Sequence, residues 1–545
     1  MRTASSSISR RPRSRAVDSH RPVVHVADPL AAEGLALLRD RCDVRVTTGL
    51  GEAELSAVLG DVDALVVRSE TKVTAAVLAA APRLQVVGRA GVGVDNIDVP
   101  AATARGVYVV NAPLGNVTAA AEHALTLALA LMRKVVAADE SIRRGEWTRS
   151  KFIGNELRGK TLGLIGIGRV GSLVARRAAA FEMRIIASDP YATESAARAA
   201  GVTLVDLDTV LRESDVISLH TPLTPQTANL IDSTALAKLK PTAVLVNCSR
   251  GEIVDLAAVA AALVAGTLGG AAFDVFAIEP LPADSPIRTA PRTLLTPHLA
   301  GSTVEAQSTV AVDVARQILD VLDGRPASAA VNAPRPPSDE AGGPAWLLLA
   351  ERLGALAAQL LDARPSRVDI AYHGSALDLP TEPLRAAVVT GIFRAFNTER
   401  VNLVNALSFA HERGLVVADH RETEPARYAA RIEVRLGPTR VSGTTVQGEP
   451  RIVRIDDFWV DMPAEGHLLL TRHTDKPGLV GRVGTLLGQH DVNISSMQVS
   501  RLNRRGEALM ILTLDDPVPD AVRDAVGAFA DVEDVRTARL GPPAA

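Results

Sequence analysis

Three polar residues, far apart in the chain, have the types needed to oxidise a 2-hydroxy acid. Arg250 lies in VNCSRGEIVD, Glu279 in FDVFAIEP and His298 in TPHLAG, and each follows an apolar run that reads as a strand. Such an oxidation needs a base for the hydroxyl proton as hydride leaves carbon 2, and a cation to hold the carboxylate and polarise the forming carbonyl. Histidine is the natural base near neutrality, and a carboxylate on its other ring nitrogen fixes the tautomer and stabilises the imidazolium. Arginine grips a carboxylate through two parallel N–H groups, which lysine cannot do. His298 is therefore assigned as acid/base, Glu279 as its partner, and Arg250 as carboxylate and carbonyl anchor.

A carrier for the hydride is written in residues 162–171, LGLIGIGRVG. An apolar strand runs into Gly166, Gly168 and Gly171, spaced G-x-G-x-x-G, and then into a helical pattern. Gly166 permits the tight turn, Gly168 lets a pyrophosphate approach the backbone, and Gly171 lets helix pack on strand. The helix N-terminus offers free N–H groups to the phosphates. A second strand, MRIIASDP, ends in Asp189, an acid placed to accept from ribose hydroxyls and to repel a 2′-phosphate. NAD is thus expected over NADP. Arg68-Ser69 follows ALVV and Arg89 follows LQVVG. Ligands of open α/β sheets gather at the carboxyl ends of strands, so both arginines are placed for an anionic substrate.

The elements needed to position these groups are legible in order. From residue 22, short strands alternate with helical patterns, the βαβ rhythm of a parallel sheet with helices on its faces. Residues 117–147 read as one long helix leading to a second such unit, which holds the glycine motif. The chain then returns to the first unit with LLTPHLAGST and a helix to Leu322. The expected class is α/β: a Rossmann nucleotide domain (118–296) inserted in a flavodoxin-like substrate domain (22–117 and 297–331), both doubly wound. A Pro/Gly/acid linker (332–344) leads to an α+β domain (345–460). There WLLLAERLGALAAQLL, LRAAVVTGIFRAF and NLVNALSFAHERG read as helices, and RVDIAYHG, RYAARIEVRLG and PRIVRIDDFWV as strands. Residues 465–542 follow strand–helix–strand–strand–helix–strand, a ferredoxin-like βαββαβ. Residues 1–21, rich in Ser and Arg, are set aside as a disordered extension.

Bulk properties exclude other classes. The formal charge of −3 over 545 residues provides no basic field for nucleic acid and no polybasic membrane patch. The N-terminal arginines lack interleaved aromatics and a folded scaffold. The most apolar long stretch, residues 119–132, contains Glu122 and His123 and reads as a buried helix; no run approaches the ~20 residues needed to span a bilayer. Cys42 and Cys248 suggest a reducing, cytoplasmic compartment and no disulfide framework. No metal centre is expected.

GIGRVG with Asp189, HTP at residues 220–222, NCSRGEIVD, FDVFAIEP and TPHLAGST together resemble the D-isomer-specific 2-hydroxyacid dehydrogenase family. VVRSETKVT and VGRAGVGVDNID match its members that oxidise 3-phospho-D-glycerate to 3-phosphooxypyruvate, the first committed step towards L-serine. The resemblance, over residues 22–545, implies that Arg68, Ser69 and Arg89 hold substrate and that Val92 lies near the nicotinamide. It implies Arg169 and Val170 on the pyrophosphate, and Thr221, Cys248, Ser249, Arg250, Asp274, His298, Ala300 and Gly301 along the cofactor. Many members have Gly-Ala where this chain has Ala300-Gly301, a swap between small residues. The long form of the family carries an intervening domain, where Arg451 and Arg454 are candidates to contact an anion, and a last domain of the ACT type. His473, Asp475, Lys476, Pro477, Gly478 and Asn493 resemble the amino-acid-binding loop of such domains. The resemblance thus implies L-serine feedback across an ACT–ACT interface, a homotetramer, and 2-oxoglutarate reduction as a side activity. A non-catalytic sensor of this fold would be expected to have lost its catalytic set, and here Arg250, Glu279 and His298 are all present.

Overall fold

The computed structural model describes residues 21–338, 342–362, 365–396, 399–422 and 427–541. The expected N-terminal extension lies outside the described residues except for Arg21, as do residues 339–341 of the expected linker.

The first sheet is β1 (Val23–Val26), β2 (Asp43–Val46), β3 (Ala64–Val67), β4 (Val86–Arg89) and β5 (Tyr108–Asn111), all parallel in the order β2-β1-β3-β4-β5. Its inner strands VVHV and ALVV are wholly buried, as a sheet covered on both faces requires. One cover comes from far along the chain: helix Val304–Leu322 presses Val310, Val314 and Ile318 into the cluster formed by Val24, Val66 and Val86. The substrate lobe is therefore discontinuous in sequence.

The second sheet holds β6 (Thr161–Ile165), β7 (Arg184–Ser188), β8 (Thr203–Leu204), β9 (Val216–Leu219), β10 (Val244–Asn247), β11 (Gly270–Phe273) and β12 (Thr293–Leu295). All are parallel in the order β12-β11-β10-β9-β6-β7-β8. The order reverses between β6 and β9, and the crevice at such a switch point is where these sheets take ligands.

The single helix expected over residues 117–147 is two helices, Val117–Arg133 and Val135–Arg143. Lys134 breaks them at φ 53°, its N–H bonded to Ala130 O and Leu131 O, the left-handed residue that closes a helix. The first helix is buried along Ala121, Ala124, Leu125 and Ala128 and joins the two lobes.

The third sheet comprises β13 (Arg367–Gly374), β14 (Val416–Glu422), β15 (Ala430–Leu436), β16 (Thr439–Val446), β17 (Glu449–Ile455) and β18 (Phe458–Pro463), in the order β14-β13-β15-β16-β17-β18. Helices Gly343–Gln359 and Thr381–Phe396 contribute to the core that covers one face. PRIVRIDDFWV, expected as one strand, is the β17–β18 hairpin, turned at Asp456 with φ 49°. Strands β14 and β16 have no counterpart in the sequence reading.

The fourth sheet, β19 (Gly466–Thr474), β20 (Ile494–Arg501), β21 (Glu507–Leu514) and β22 (Val532–Leu540), is antiparallel in the order β20-β21-β19-β22. Helices Leu479–Gln489 and Asp520–Gly527 cover one face through Leu479, Val483, Leu487, Val522 and Val526. Leu468, Leu470, Leu509 and Ile511 belong instead to the core containing Trp346, Leu349 and Leu353, so the third and fourth sheets share one hydrophobic cluster. Arg400 donates to the carbonyls of Leu84 and Arg83, and Asn402 to Gly106 O at 2.8 Å, seating this half on the substrate lobe. Among the described residues no helix is long and apolar enough to cross a membrane.

Candidate active site

Strand β6 delivers the chain into the crevice at Gly166, whose φ of 92° suits glycine. A Cβ there would stand 2.7 Å from His220 O, and one on Gly171 would stand 2.3 Å from Gly166 O. Both glycines are thus required by packing. Gly168 differs: a Cβ there would meet nothing within 4 Å, so this position faces open space at the start of helix Arg169–Ala179. That is the cradle a pyrophosphate needs, with backbone N–H groups aimed at it. Val170 lies in the first turn, and Arg169 Nη1 donates to Pro113 O across the lobes at 3.2 Å. Asp189, directly after β7, accepts from Ile167 N and from Tyr191 N, both at 2.9 Å. These bonds hold the carboxylate at the crevice edge, and each oxygen can accept another donor.

The wall beyond is also polar and under-used. Among the described residues the buried Thr221 hydroxyl has no partner, which marks it as a group awaiting one. Burial pushes the pKa of neighbouring His220 down to about 4, so the ring is neutral, with Nε2 2.9 Å from Ser218 Oγ. Burial, with Asp274 nearby, pushes the Cys248 thiol up; it is a lining group and not a nucleophile. Ser249 bonds Asn247 Oδ1 through both N–H and hydroxyl, and Asn247 Nδ2 returns to Arg250 O, a turn that aims Arg250 at the cleft. Val92 is exposed on the opposite lobe. An open glycine, an anchored acid and an orphaned hydroxyl fit NAD.

Across the crevice, Arg68, Ser69, Arg89, His298 and Gly301 line one pocket, together with Asn116. The loop of Arg68 is clamped from both sides. Asp28 accepts from Arg68 N at 2.5 Å and from the Thr71 hydroxyl at 2.7 Å, while Asn96 donates to Arg68 O and Thr71 O. Arg89 is largely buried, and its Nε has no partner among the described residues. Burial, then the charges of Arg250 and Arg68, lower its pKa to about 10. Arg250 reaches over from the nucleotide lobe, donating through Nε to Asp95 Oδ2 at 3.1 Å and through Nη1 to Ser249 O at 2.7 Å. Three guanidiniums thus converge with too few anions among them.

His298 faces them. Its Nδ1 lies 2.8 Å from Glu279 Oε2, and Glu279 Oε1 accepts from Phe276 N at 3.0 Å. The ring pair therefore leaves Nε2 for a substrate. His298 sits at φ 56°, uncommon for a residue with a side chain, and its N–H donates to Asp274 O at 2.8 Å. Asp274, expected along the cofactor, lies one layer lower, its side chain fully buried. It accepts from the Thr296 hydroxyl at 2.6 Å, Leu299 N at 2.7 Å and Ala300 N at 2.8 Å. Desolvation raises its pKa, but donors including His123, Thr296, Leu299 and Ala300 outweigh it and leave the group below the usual carboxylate range. Gly301 abuts Asn116, whose Nδ2 would lie 2.9 Å from an added Cβ.

The sequence reading missed Asp28, Asp95, Asn96 and Asn116. Asp28 follows β1 and was detectable as a polar residue at a strand's carboxyl end. The others lie in loops whose direction only the fold sets.

The expected effector residues do not meet within one chain. His473 is buried, its Nδ1 directed at Thr471. Asp475 accepts from Arg501 at 3.1 Å, and Asn493 donates to Asp515 at 2.6 Å. Both β19 and β20 run antiparallel to β21, with Thr474 opposite Glu507 and Ile494 opposite Leu514. Asp475 and Asn493, which bond Gly506 O and Asp515 N, therefore lie at opposite ends of the sheet, roughly 30 Å apart at ~3.4 Å per residue. In the intervening domain, Arg451 pairs with Asp461 at 2.5 Å, and Arg454 donates to Asp456 O at 2.6 Å while lying over Trp459.

Three family models match the chain: the D-isomer specific 2-hydroxyacid dehydrogenase NAD binding domain over residues 125–300, the D-3-phosphoglycerate dehydrogenase intervening domain over 344–456, and the ACT domain over 467–531. A D-3-phosphoglycerate dehydrogenase of Synechocystis is 44% identical over 95% of this chain and 94% of its own. One of Mycobacterium bovis is 43% identical over 94% of this chain and 98% of its own. Among solved structures, a Thermus thermophilus protein aligns with a TM-score of 0.54 and 36% identity, over 57% of this chain and 99% of its own.

Proposed function

The chain belongs to the D-3-phosphoglycerate dehydrogenase group of the D-isomer specific 2-hydroxyacid dehydrogenases, NAD-dependent enzymes, and from this we propose that it oxidises 3-phospho-D-glycerate to 3-phosphooxypyruvate on the route to L-serine. The observation that carries the substrate is the convergence of Arg68, Arg89 and Arg250 opposite the His298–Glu279 pair. A carboxylate and a phosphate of about −1.5 to −2 charge at pH 7 match three guanidiniums in number and sign.

Arg250 exchanges Asp95 for the substrate carboxylate and holds it with a fork. Arg68, Ser69 and Arg89 take the phosphate. Nε2 of His298 then faces the carbon-2 hydroxyl and removes its proton, while Glu279 on Nδ1 stabilises the imidazolium. NAD, held by Gly168, Arg169, Val170, Asp189 and Thr221, supplies the hydride acceptor. In the reverse direction His298 returns the proton and Arg250 polarises the carbonyl. The same groups suit reduction of 2-oxoglutarate, with its second carboxylate in place of the phosphate.

We further propose that L-serine inhibits through the last domain, at sites assembled from Asp475 and His473 of one copy and Asn493 of another. The separation of these residues within one chain supports a two-copy site, which a homotetramer supplies. The experiment is NADH formation from 3-phospho-D-glycerate at alkaline pH with a product trap, over an L-serine titration. Activity that falls with serine supports both readings; activity indifferent to serine removes the effector site, and absence of activity removes the substrate.

A further inference from the structure

One imidazole beside the catalytic loop has no part in the mechanism above. His123 lies on helix Val117–Arg133, among the buried residues Ala120, Ala121, Ala124 and Leu127. Its Nε2 lies 3.2 Å from Thr296 Oγ1 and 3.2 Å from Asp274 Oδ1. The hydrogen bonds here run one way. Thr296 spends its single hydroxyl proton on Asp274 at 2.6 Å, so its lone pairs are left for a donor, and the Nε2–H of His123 is that donor.

We propose that His123 is a positioning residue for the acid/base, donating from the interlobe helix into Thr296 and Asp274 and so fixing the loop that carries His298. The inference rests on His298 as the acid/base. Asp274 is the hub: its carboxylate holds Leu299 N and Ala300 N, and its carbonyl holds His298 N. Three donors meet at its Oδ1, Leu299 N and the side chains of Thr296 and His123, and the two side chains fix its orientation from outside the loop's own backbone. His298 is strained at φ 56° and keeps that conformation only while its surroundings over-determine it. The same helix starts beside Asn116, which packs on Gly301 at the other end of the loop. The element joining the lobes therefore touches the catalytic loop at both ends, and a change of lobe orientation reaches His298 through His123.

The test compares the full-length wild type with His123→Leu, His123→Gln and His298→Ala. Each is measured for kcat, for KM with both substrates, and for NAD affinity by fluorescence titration. Gln can place an amide N–H near the Nε2 position; Leu keeps bulk and loses the donor. His123→Leu should lower kcat by about 10-fold to 100-fold with NAD affinity within about twofold, and His123→Gln should restore kcat to within about threefold of wild type. A kcat for His123→Leu within about twofold of wild type, or an equal loss in His123→Gln, overturns the proposal. Should His123→Leu not fold, His123→Asn replaces it, since its shorter amide stops short of Thr296; parity between Asn and Gln then overturns the proposal. An active His298→Ala removes the mechanism on which the inference rests, whereas an inactive His298→Ala beside a normal His123→Leu removes the inference alone.

Discussion

At the scale of single residues, charge balance separates the groups proposed to bind substrate from groups that hold the fold. Among the described residues, Arg68 and Arg89 have no carboxylate in salt-bridge range, while Arg83, at the opposite end of the same strands, is paired with Asp63 at 2.9 Å. Replacing Arg68 or Arg89 by Ala should cost kcat/KM for 3-phospho-D-glycerate about 100-fold, and a short unphosphorylated 2-hydroxy acid far less. Equal losses on both substrates would remove the phosphate assignment. His220 offers a pH test of the opposite lobe. Its pKa falls from 6.5 unfolded to about 4 folded. Between those values the unfolded chain takes up a proton that the folded chain refuses, so stability drops as pH falls from 6.5 towards 4. Thermal midpoints across that window should flatten in His220→Gln; parallel curves would show that another group carries the acid sensitivity. Arg250, Glu279 and His298 could be placed at the cleft from sequence because polar residues that follow apolar strands within a few positions stand out. Asp274 could not be read in its present role, because half of its donors are backbone N–H groups, and a backbone donor leaves no mark in a sequence.

At the scale of elements, the glycine motif divides into two jobs that substitution separates. Gly168→Ala should leave thermal stability nearly unchanged, since its Cβ enters open space, yet weaken NAD by about tenfold or more because that space belongs to the pyrophosphate. Gly171→Ala should do the reverse first, losing about 1–3 kcal/mol of stability as its Cβ meets Gly166 O. Calorimetry and NAD titration of both variants check the pair; loss of stability in Gly168→Ala would contradict the open floor. The parallel lobes were legible because buried strands are short, continuous and apolar. The third sheet was not. Its β17–β18 turn is made by Asp456 and Asp457 rather than by a glycine pair, and β14 is an edge strand with most of its residues exposed or half-buried, so neither announces itself. The break at Lys134 is equally silent, since a lysine carries no signal for a left-handed cap.

At the scale of the whole molecule, the distance between Asp475 and Asn493 would make the proposed serine inhibition a property of the assembly. Asp475→Ala and Asn493→Ala should each abolish serine inhibition without lowering basal activity. Co-refolding the two variants should recover it in part, because one site of a mixed pair then holds both native residues. No recovery on mixing would place both residues in a single-chain site and contradict the register of β19 and β20 about β21.

The hydrophobic cluster shared by the third and fourth sheets has a consequence for heredity. Leu468, Leu470, Leu509 and Ile511 fill a core whose other wall is helix Gly343–Gln359. A stop codon between β18 and β19 would not leave a shorter, unregulated enzyme. It would bare that helix to water and leave a product prone to stick to itself. A stop before Gly343 strips away both walls together and leaves the two catalytic lobes with their own cores, the first short of Val404 alone. Recombination would then add or discard the C-terminal half of this gene as one inherited block, whose seam is the proline-rich stretch ahead of that helix.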